Sequence, residues 1–350
     1  MGTPRKRVSF AIAVCVLALP ALAAVLALAA ACGGTGTASD SPSASASTSV
    51  VPSAAPSAGE TPLPAPTVTG TIAVSKVTLS TGAFGELYSV NTDGTGLGLL
   101  AAGEDVSLKQ AAWSPDGTRI ACIMGNSSSR PWSYYPYSLW TMNADGSGQA
   151  RLTEGKVRGA WPTWSPDGKK LAFVRVLPSS DNAGIFVVDA DGSGLERVTS
   201  GDLPVWTPGG DIYFVKGAAG DIFSIRPDGS GRARVTTDIA VGAFAVSRDG
   251  TQLAIYDSLG DSIVTLPADG SGSPTVLVDQ VTAKGYTPEV SYRSVGVVLS
   301  WAPDGRSLAF AASDGMDTEG SALYIVNADG TGLSMVPGTG KVWDPAWRPE

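Results

Sequence analysis

The chain carries 350 residues, 43% of them hydrophobic and only 16% charged, with 43 glycines, 24 prolines, three cysteines and no histidine. The missing imidazole closes Ser-His-Asp and Cys-His catalysis, His-ligated metal sites and titration near neutral pH, leaving Lys-Ser, carboxylate-pair and calcium chemistries open. The formal charge of -8 excludes the basic face a nucleic-acid binder needs.

Arg5, Lys6 and Arg7 precede a 24-residue run, Val8 to Ala31, with no charged side chain, the pattern of a secretion signal over residues 1–32. Without those three, 21 basic side chains face 32 acidic ones, so the exported part carries a net charge of -11. The stretch Leu28 to Gly34, LAAACGG, resembles the lipobox of bacterial lipoproteins, in which small residues precede a cysteine that receives diacylglycerol. The resemblance implies that Cys32 is the lipid site, although the leucine usually three places before the cysteine stands at Leu28. The uncharged run is also long enough to remain as an uncleaved anchor, since about 20 apolar residues span a bilayer. Either reading tethers the body to the outer side of the cell membrane or in the periplasm.

Residues 33–70 are a tract of Ser, Ala, Thr, Pro and Gly with almost no large apolar side chain, too poor in burial to fold. As a flexible coil this linker would span roughly 34 Å, and about 125 Å when fully extended.

From Thr71 to Glu350 two phrases alternate. The first is WSPDG at Trp113–Gly117 and Trp164–Gly168, WTPGG from Trp206, VSRDG from Val246, WAPDG at Trp301–Gly305 and a truncated WRPE from Trp347. The second is NTDG from Asn91, NADG from Asn143, DADG from Asp189, RPDG from Arg226, PADG from Pro267 and NADG from Asn327. Both are turns: proline presets φ, Asp or Asn accepts a local backbone hydrogen bond, and glycine takes the left-handed position. Short β-branched and aromatic runs between them, such as Ile120–Ile123 and Leu171–Val176, read as strands, four to a repeat. Calling these A to D, the first phrase closes the A–B hairpin and the second the C–D hairpin. The first unit opens on a B-like strand, Thr71–Val74, and the chain finishes on an orphan A-like strand, Val342–Trp347. The expectation is an all-β fold, a six-bladed β-propeller of four-stranded antiparallel blades whose first blade is closed by the C-terminal strand.

This alternation resembles the PD40 (WD40-like) repeats of the TolB propeller family over about 280 of the 350 residues. The resemblance implies the fold and leaves function open, because propellers host unrelated activities. It also departs from TolB proper, which carries a folded α/β domain ahead of its propeller where residues 33–70 stand here. Relatives of the oligogalacturonate lyase type rely on His-bearing metal sites, which the composition excludes.

Strand alternation puts all A–B and C–D turns on one face of the disc and the irregular B–C and D–A connections on the other, where a ligand is expected. The candidates there are Arg130, Trp132, Tyr134, Tyr135 and Tyr137 in one loop and Tyr286, Tyr292 and Arg293 in another; the aromatic residues could stack on a sugar ring or a partner's side chain, or fold over the neighbouring blade. Acidic clusters at Glu104 with Asp105, and at Asp314, Asp317 and Glu319, read as solvated loops, with a carboxylate pair or a calcium site as the alternative. Trp113, Trp164, Trp206, Trp301 and Trp347 read as packing wedges, with Asp116, Gly117, Asp167, Gly168, Asp304 and Gly305 as turn residues. Cys122 sits in a strand and is expected to be buried and free. The expectation for function is a lipid-anchored, non-catalytic monomer without cofactor or metal, binding an envelope protein, peptide or glycan through its loop-rich face. The alternative is a carboxylate-dependent, carbohydrate-active or other hydrolytic propeller.

Overall fold

The computed structural model describes residues 69–350 apart from 79–82, 104–105, 127–136, 154–157, 177–183, 218–219, 280, 282–297 and 313–321. The described residues fall within one compact unit, Thr61–Glu350. Every regular element among them is a strand.

The strands follow the turn phrases. They run β1 (Thr71–Thr78), β2 (Ala83–Asn91) and β3 (Gly98–Ala101); β4 (Val106–Trp113), β5 (Arg119–Asn126), β6 (Tyr137–Asn143) and β7 (Ala150–Arg151); then β8 (Arg158–Trp164), β9 (Lys170–Val176), β10 (Gly184–Asp189) and β11 (Glu196–Thr199). The second half repeats the scheme with β12 (Asp202–Trp206), β13 (Ile212–Lys216), β14 (Asp221–Ile225) and β15 (Ala233–Arg234); β16 (Val241–Val246), β17 (Gln252–Asp257), β18 (Ser262–Pro267) and β19 (Thr275–Val278); β20 (Leu299–Trp301), β21 (Ser307–Ala312), β22 (Ala322–Asn327) and β23 (Ser334–Met335); and lastly β24 (Val342–Trp347). They form six four-stranded sheets, five from consecutive strands and one ordered β24-β1-β2-β3. The C-terminal strand pairs antiparallel with β1, Ile72 opposite Trp347 and Lys76 opposite Val342. The ring is therefore a six-bladed propeller fastened by its last strand.

The core follows from strands apolar on both faces, each blade packing on two neighbours. Six buried clusters fall at the six blade interfaces. Trp113, Ile120, Cys122 and Met142 of blade 2 meet Ala73, Leu87 and Ala346 of blade 1, and Trp164, Leu171 and Phe173 of blade 3 meet Ala121, Ile123 and Leu139 of blade 2. The ring closes where Trp347, Ile72 and Val74 of blade 1 meet Ala302, Ala309 and Leu323 of blade 6.

The turn phrases add a second seam. In the first A–B turn the Ser114 hydroxyl and the Thr118 N–H both donate to Asp116 Oδ1, at 2.5 and 3.1 Å, and the Gly117 N–H closes the turn on the Ser114 carbonyl at 2.8 Å. Asp167 is held the same way by Ser165 and Lys169, and Asp304 accepts the Arg306 N–H. In the C–D turns, glycine is required for a reason beyond φ. Gly146 sits at φ +84° with its α-carbon against the Leu100 carbonyl of blade 1, so any Cβ would overlap that oxygen. Gly270 meets the Val235 carbonyl of blade 4 in the same way.

Candidate binding site in the central tunnel

The A strands β24, β4, β8, β12, β16 and β20 are innermost, and together they line a cavity of about 330 Å³ on the ring's axis. In blades 1, 2, 3 and 6 the residue three places before the Trp phrase lines this cavity, and in blades 4 and 5 Val205 and Phe244 do. Asp344, Gln110, Trp161 and Leu203 occupy that position in blades 1 to 4, and all four have positive φ, +50°, +57°, +53° and +48°. For a bulky side chain this is rare and costs on the order of 1–3 kcal/mol. The cause is a bulge: pairing with the neighbouring strand slips between Lys109 and Ala112, between Ala160 and Thr163, and between Asp202 and Val205, with a matching slip at Ala73/Ser75 opposite β24. A bulge re-aims a side chain and releases a backbone N–H from the ladder.

That N–H has to be satisfied, and the neighbouring blade does so. The Gln110 N–H donates to Asp344 Oδ2 at 3.2 Å, and the Trp161 N–H donates to Gln110 Oε1 at 3.0 Å. The indole of Trp161 cannot continue the relay, and the Leu203 N–H turns instead to Asp202 Oδ1 at 2.9 Å. Asp344 lies deep in the ring, and burial pushes its carboxyl above the usual range against the opposing pull of Lys109, the Gln110 N–H and Ser75. Lys109 in turn has its ammonium pushed down by burial and held up by Asp344, while its Nζ stands 4.3 Å from the centre of the Tyr137 ring. No ion pair closer than 4 Å joins Asp344 to a cation among the described residues.

The wall is divided. Asp344, Gln110 and Trp161, from blades 1 to 3, bring polar groups, whereas Val205, Phe244 and Val298, from blades 4 to 6, bring apolar surface. At the mouth on the turn side, Arg248 of blade 5 reaches across the axis, its Nη2 donating to the Pro115 carbonyl of blade 2 at 3.2 Å.

Of the loop-face candidates only Tyr137 lies among the described residues. It starts β6 opposite Gly125, half-buried, against Lys109. Arg130, Trp132, Tyr134, Tyr135, Tyr286, Tyr292 and Arg293, the acidic loop clusters and Cys32 lie outside the described residues. The repeated tryptophans are buried at blade interfaces. Trp113, Trp164 and Trp301 each donate an indole N–H to the preceding blade's A strand, at Ala346, Ala112 and Ala245 respectively, at 3.1, 3.0 and 3.3 Å. Trp206, whose turn has Gly209 in place of aspartate, donates to its own Gly210 carbonyl. Arginines clamp two of these rings: Arg119 lies 4.6 Å from the centre of the Trp164 ring and donates to the Gly168 carbonyl, and Arg348 does likewise at 5.1 Å over Trp113 and on to Gly117. Cys122 is buried and free, its thiol pushed up to about 12 by burial.

The tunnel residues were missed by the loop-centred reading, although three of the four bulges carry a visible sign. Trp161, Leu203 and Asp344 each precede a proline two places before the Trp phrase, and a residue before proline is driven out of the right-handed helical region.

Comparison with known proteins supports the architecture. A match of 25% identity over 213 residues, 59% of this chain and 30% of the other, joins it to the uncharacterized peptidase YuxL of Bacillus subtilis. Another, 35% identical over 75 residues, joins 21% of this chain to 17% of the Tol-Pal system protein TolB of Rhizorhabdus wittichii. The chain thus spans well under two thirds of the length of these relatives. Among solved structures, TolB from Acinetobacter baumannii is similar in fold, with a TM-score of 0.64 and 22% identity over 80% of this chain and 67% of that one. An oligogalacturonate lyase in complex with manganese shares the fold at a TM-score of 0.50 and 15% identity, over 69% of this chain and 71% of that one. The model of the TolB beta propeller domain matches residues 72–350, and with six blades, their turn phrases and the closing strand in place, the chain belongs to that family.

Proposed function

We propose that the protein is a lipid-anchored, extracytoplasmic binding module that holds an envelope protein, peptide or glycan against its loop-rich face without catalysing a reaction on it. The observation that carries this reading is the tunnel wall. It has a cavity of ligand size and, among the described residues, a single carboxylate, Asp344, which is tied to a backbone N–H and balanced by Lys109. Among the described residues that line the cavity, no second carboxyl group stands beside Asp344, where a glycosidase needs two roughly 5 to 9.5 Å apart. Among the described residues no group of His, Cys, Asp or Glu is set to hold a metal. The name of the Bacillus relative, a peptidase, favours the catalytic alternative; that match covers 30% of the relative's length.

The test is a crosslinking pulldown from intact cells, comparing the natural chain with one whose residues 125–137 are replaced by a Gly-Ser tract. The expected result is a partner recovered by the natural chain and lost with the replacement. An unchanged partner moves the site away from that loop, and turnover of an envelope glycan or peptide by the purified chain overturns the non-catalytic reading.

A further inference from the structure

The relay along the bulges uses only part of what its side chains offer. Gln110 spends Oε1 on the Trp161 N–H, and its amide nitrogen, with two N–H groups, donates to nothing among the described residues. The Trp161 indole N–H has no acceptor there either, as is also true of Trp347 and unlike the indoles of Trp113, Trp164, Trp206 and Trp301. Asp344 accepts the Gln110 N–H and faces Ser75, whereas a carboxylate has about four lone-pair sites. Donors and an acceptor therefore stand side by side on three adjacent blades, at the wall of one cavity, with Val205, Phe244 and Val298 facing them. Gln110 and Trp161 are half-buried, so these donors are open to a ligand that enters the cavity and offers them acceptors.

From this juxtaposition we infer that the tunnel binds a neutral, hydroxylated ring, the unit of an uncharged glycan. The inference rests on the binding reading above and names its ligand class. A pyranose has a face of C–H groups for the aromatic and aliphatic side and a rim of hydroxyls that both donate and accept, which suits Asp344, Gln110 and Trp161 together. The cavity of about 330 Å³ lies at the small end of the roughly 300–1,000 Å³ typical of ligand sites, matching one or two rings. Charge decides against the other candidates. A basic side chain would satisfy Asp344 alone, would leave both donors unmet, and would enter the field of Lys109, which already acts on Asp344. A uronate would meet Asp344 at close range, and the Arg248 guanidinium that also lines the cavity is already engaged at the Pro115 carbonyl. A peptide side chain offers an apolar body or a polar tip, seldom an apolar face and a polar rim on the same small ring.

The experiment is ligand-observed NMR and calorimetry on the purified full chain with glucose, N-acetylglucosamine and cellobiose, beside glucosamine, galacturonate and a lysine-containing tripeptide. Neutral sugars are expected to bind and the charged probes not to. Trp161→Phe keeps the ring and removes its N–H, and Asp344→Asn keeps an acceptor for the Gln110 N–H; each is expected to weaken neutral-sugar binding by up to about tenfold, the worth of one hydrogen bond. Leu203→Ala, on a bulge whose side chain does not line the cavity, is expected to leave affinity unchanged. Thermal melts accompany each variant, so that lost binding is scored only on folded protein. Tighter binding of glucosamine, galacturonate or the tripeptide, no binding of any neutral sugar, or unchanged affinity in both tunnel variants overturns the inference. A protein partner recovered in the pulldown by a chain that binds no sugar would sink this ligand class and leave the binding reading standing.

Discussion

Ring closure by β24 can be tested by ending the chain at Lys341. The deletion removes the strand paired with β1 and exposes the faces of blades 2 and 6 that pack on it. Val342, Ala346 and Trp347 are at most 9% exposed, and Val342 and Trp347 alone account for about 1.5–3 kcal/mol of apolar burial each. The Trp113 indole loses its acceptor at Ala346, the Gln110 N–H loses Asp344 and the Thr71 carbonyl loses the Arg348 N–H. The first donor is buried and the second half-buried, and orphaning them costs on the order of 1–3 kcal/mol each. The total, roughly 5–12 kcal/mol, rivals the 5–15 kcal/mol that separates a typical native protein from its unfolded state. The truncated chain should therefore be unfolded or melt more than about 10 °C lower, at 2–4 °C per kcal/mol for a domain of this class. Differential scanning calorimetry of the two chains at matched pH and concentration reads this directly. A truncated chain that melts within about 2 °C of the natural one would show that β24 decorates a ring already closed without it, and the closure argument would fall.

Other consequences follow from the seams and the titrating groups. Gly146→Ala should cost more than about 2 kcal/mol in urea denaturation, because the new Cβ meets the Leu100 carbonyl at φ +84°; Gly305→Ala, also at positive φ but with open space around it, should cost less. Nine turn aspartates, among them Asp116, Asp167 and Asp249, are held below the ordinary carboxylate range first by hydrogen bonds from neighbouring hydroxyls. Below about pH 4 the unfolded chain takes up protons that the folded turns refuse, so stability should hold at higher pH and fall as the pH drops through that point. A melting temperature that rises on acidification would contradict it. Cys122, buried with its thiol near 12, should resist a thiol reagent at pH 8 in the native protein and react at once in denaturant; prompt native labelling would mean that blades 1 and 2 open there.

What was legible in the sequence was whatever repeats locally. The WSPDG and NADG phrases specify turns through proline, aspartate and glycine within five residues, and six copies of each, with the unmatched ends Thr71–Val74 and Val342–Trp347, were enough to derive the closed ring. The interblade clamps were not legible, because Arg119 over Trp164 and Arg248 on Pro115 join residues 45 and 133 positions apart and nothing local in an arginine announces its partner. The tunnel residues lay between these cases. The proline after Trp161, Leu203 and Asp344 marks a backbone held away from the helical region, yet Gln110 takes the same bulge before an alanine, so the pattern shows only once the four are superposed by register.

The bulges also explain how a ring of similar blades acquires an asymmetric centre. The Trp wedges are buried between neighbouring blades and the turn glycines are held at positive φ, so the repeat holds its residue type there almost all the way round. The position three before the wedge changes from blade to blade: Asp344, Gln110, Trp161 and Val298 line the cavity, whereas Leu203 packs against the cluster between blades 4 and 5 and Ala243 is buried between blades 5 and 6. The one structural demand is an acceptor for the next bulge's N–H. Asp344 and Gln110 meet that demand with one oxygen each and keep the rest of their polar groups for the cavity. The fold needs a single acceptor at each point, which a shorter polar side chain could supply. An amide, a carboxylate and an indole on three consecutive blades, opposite an apolar arc, exceed what closure of the ring requires, and that excess separates a binding cavity from a packed axis.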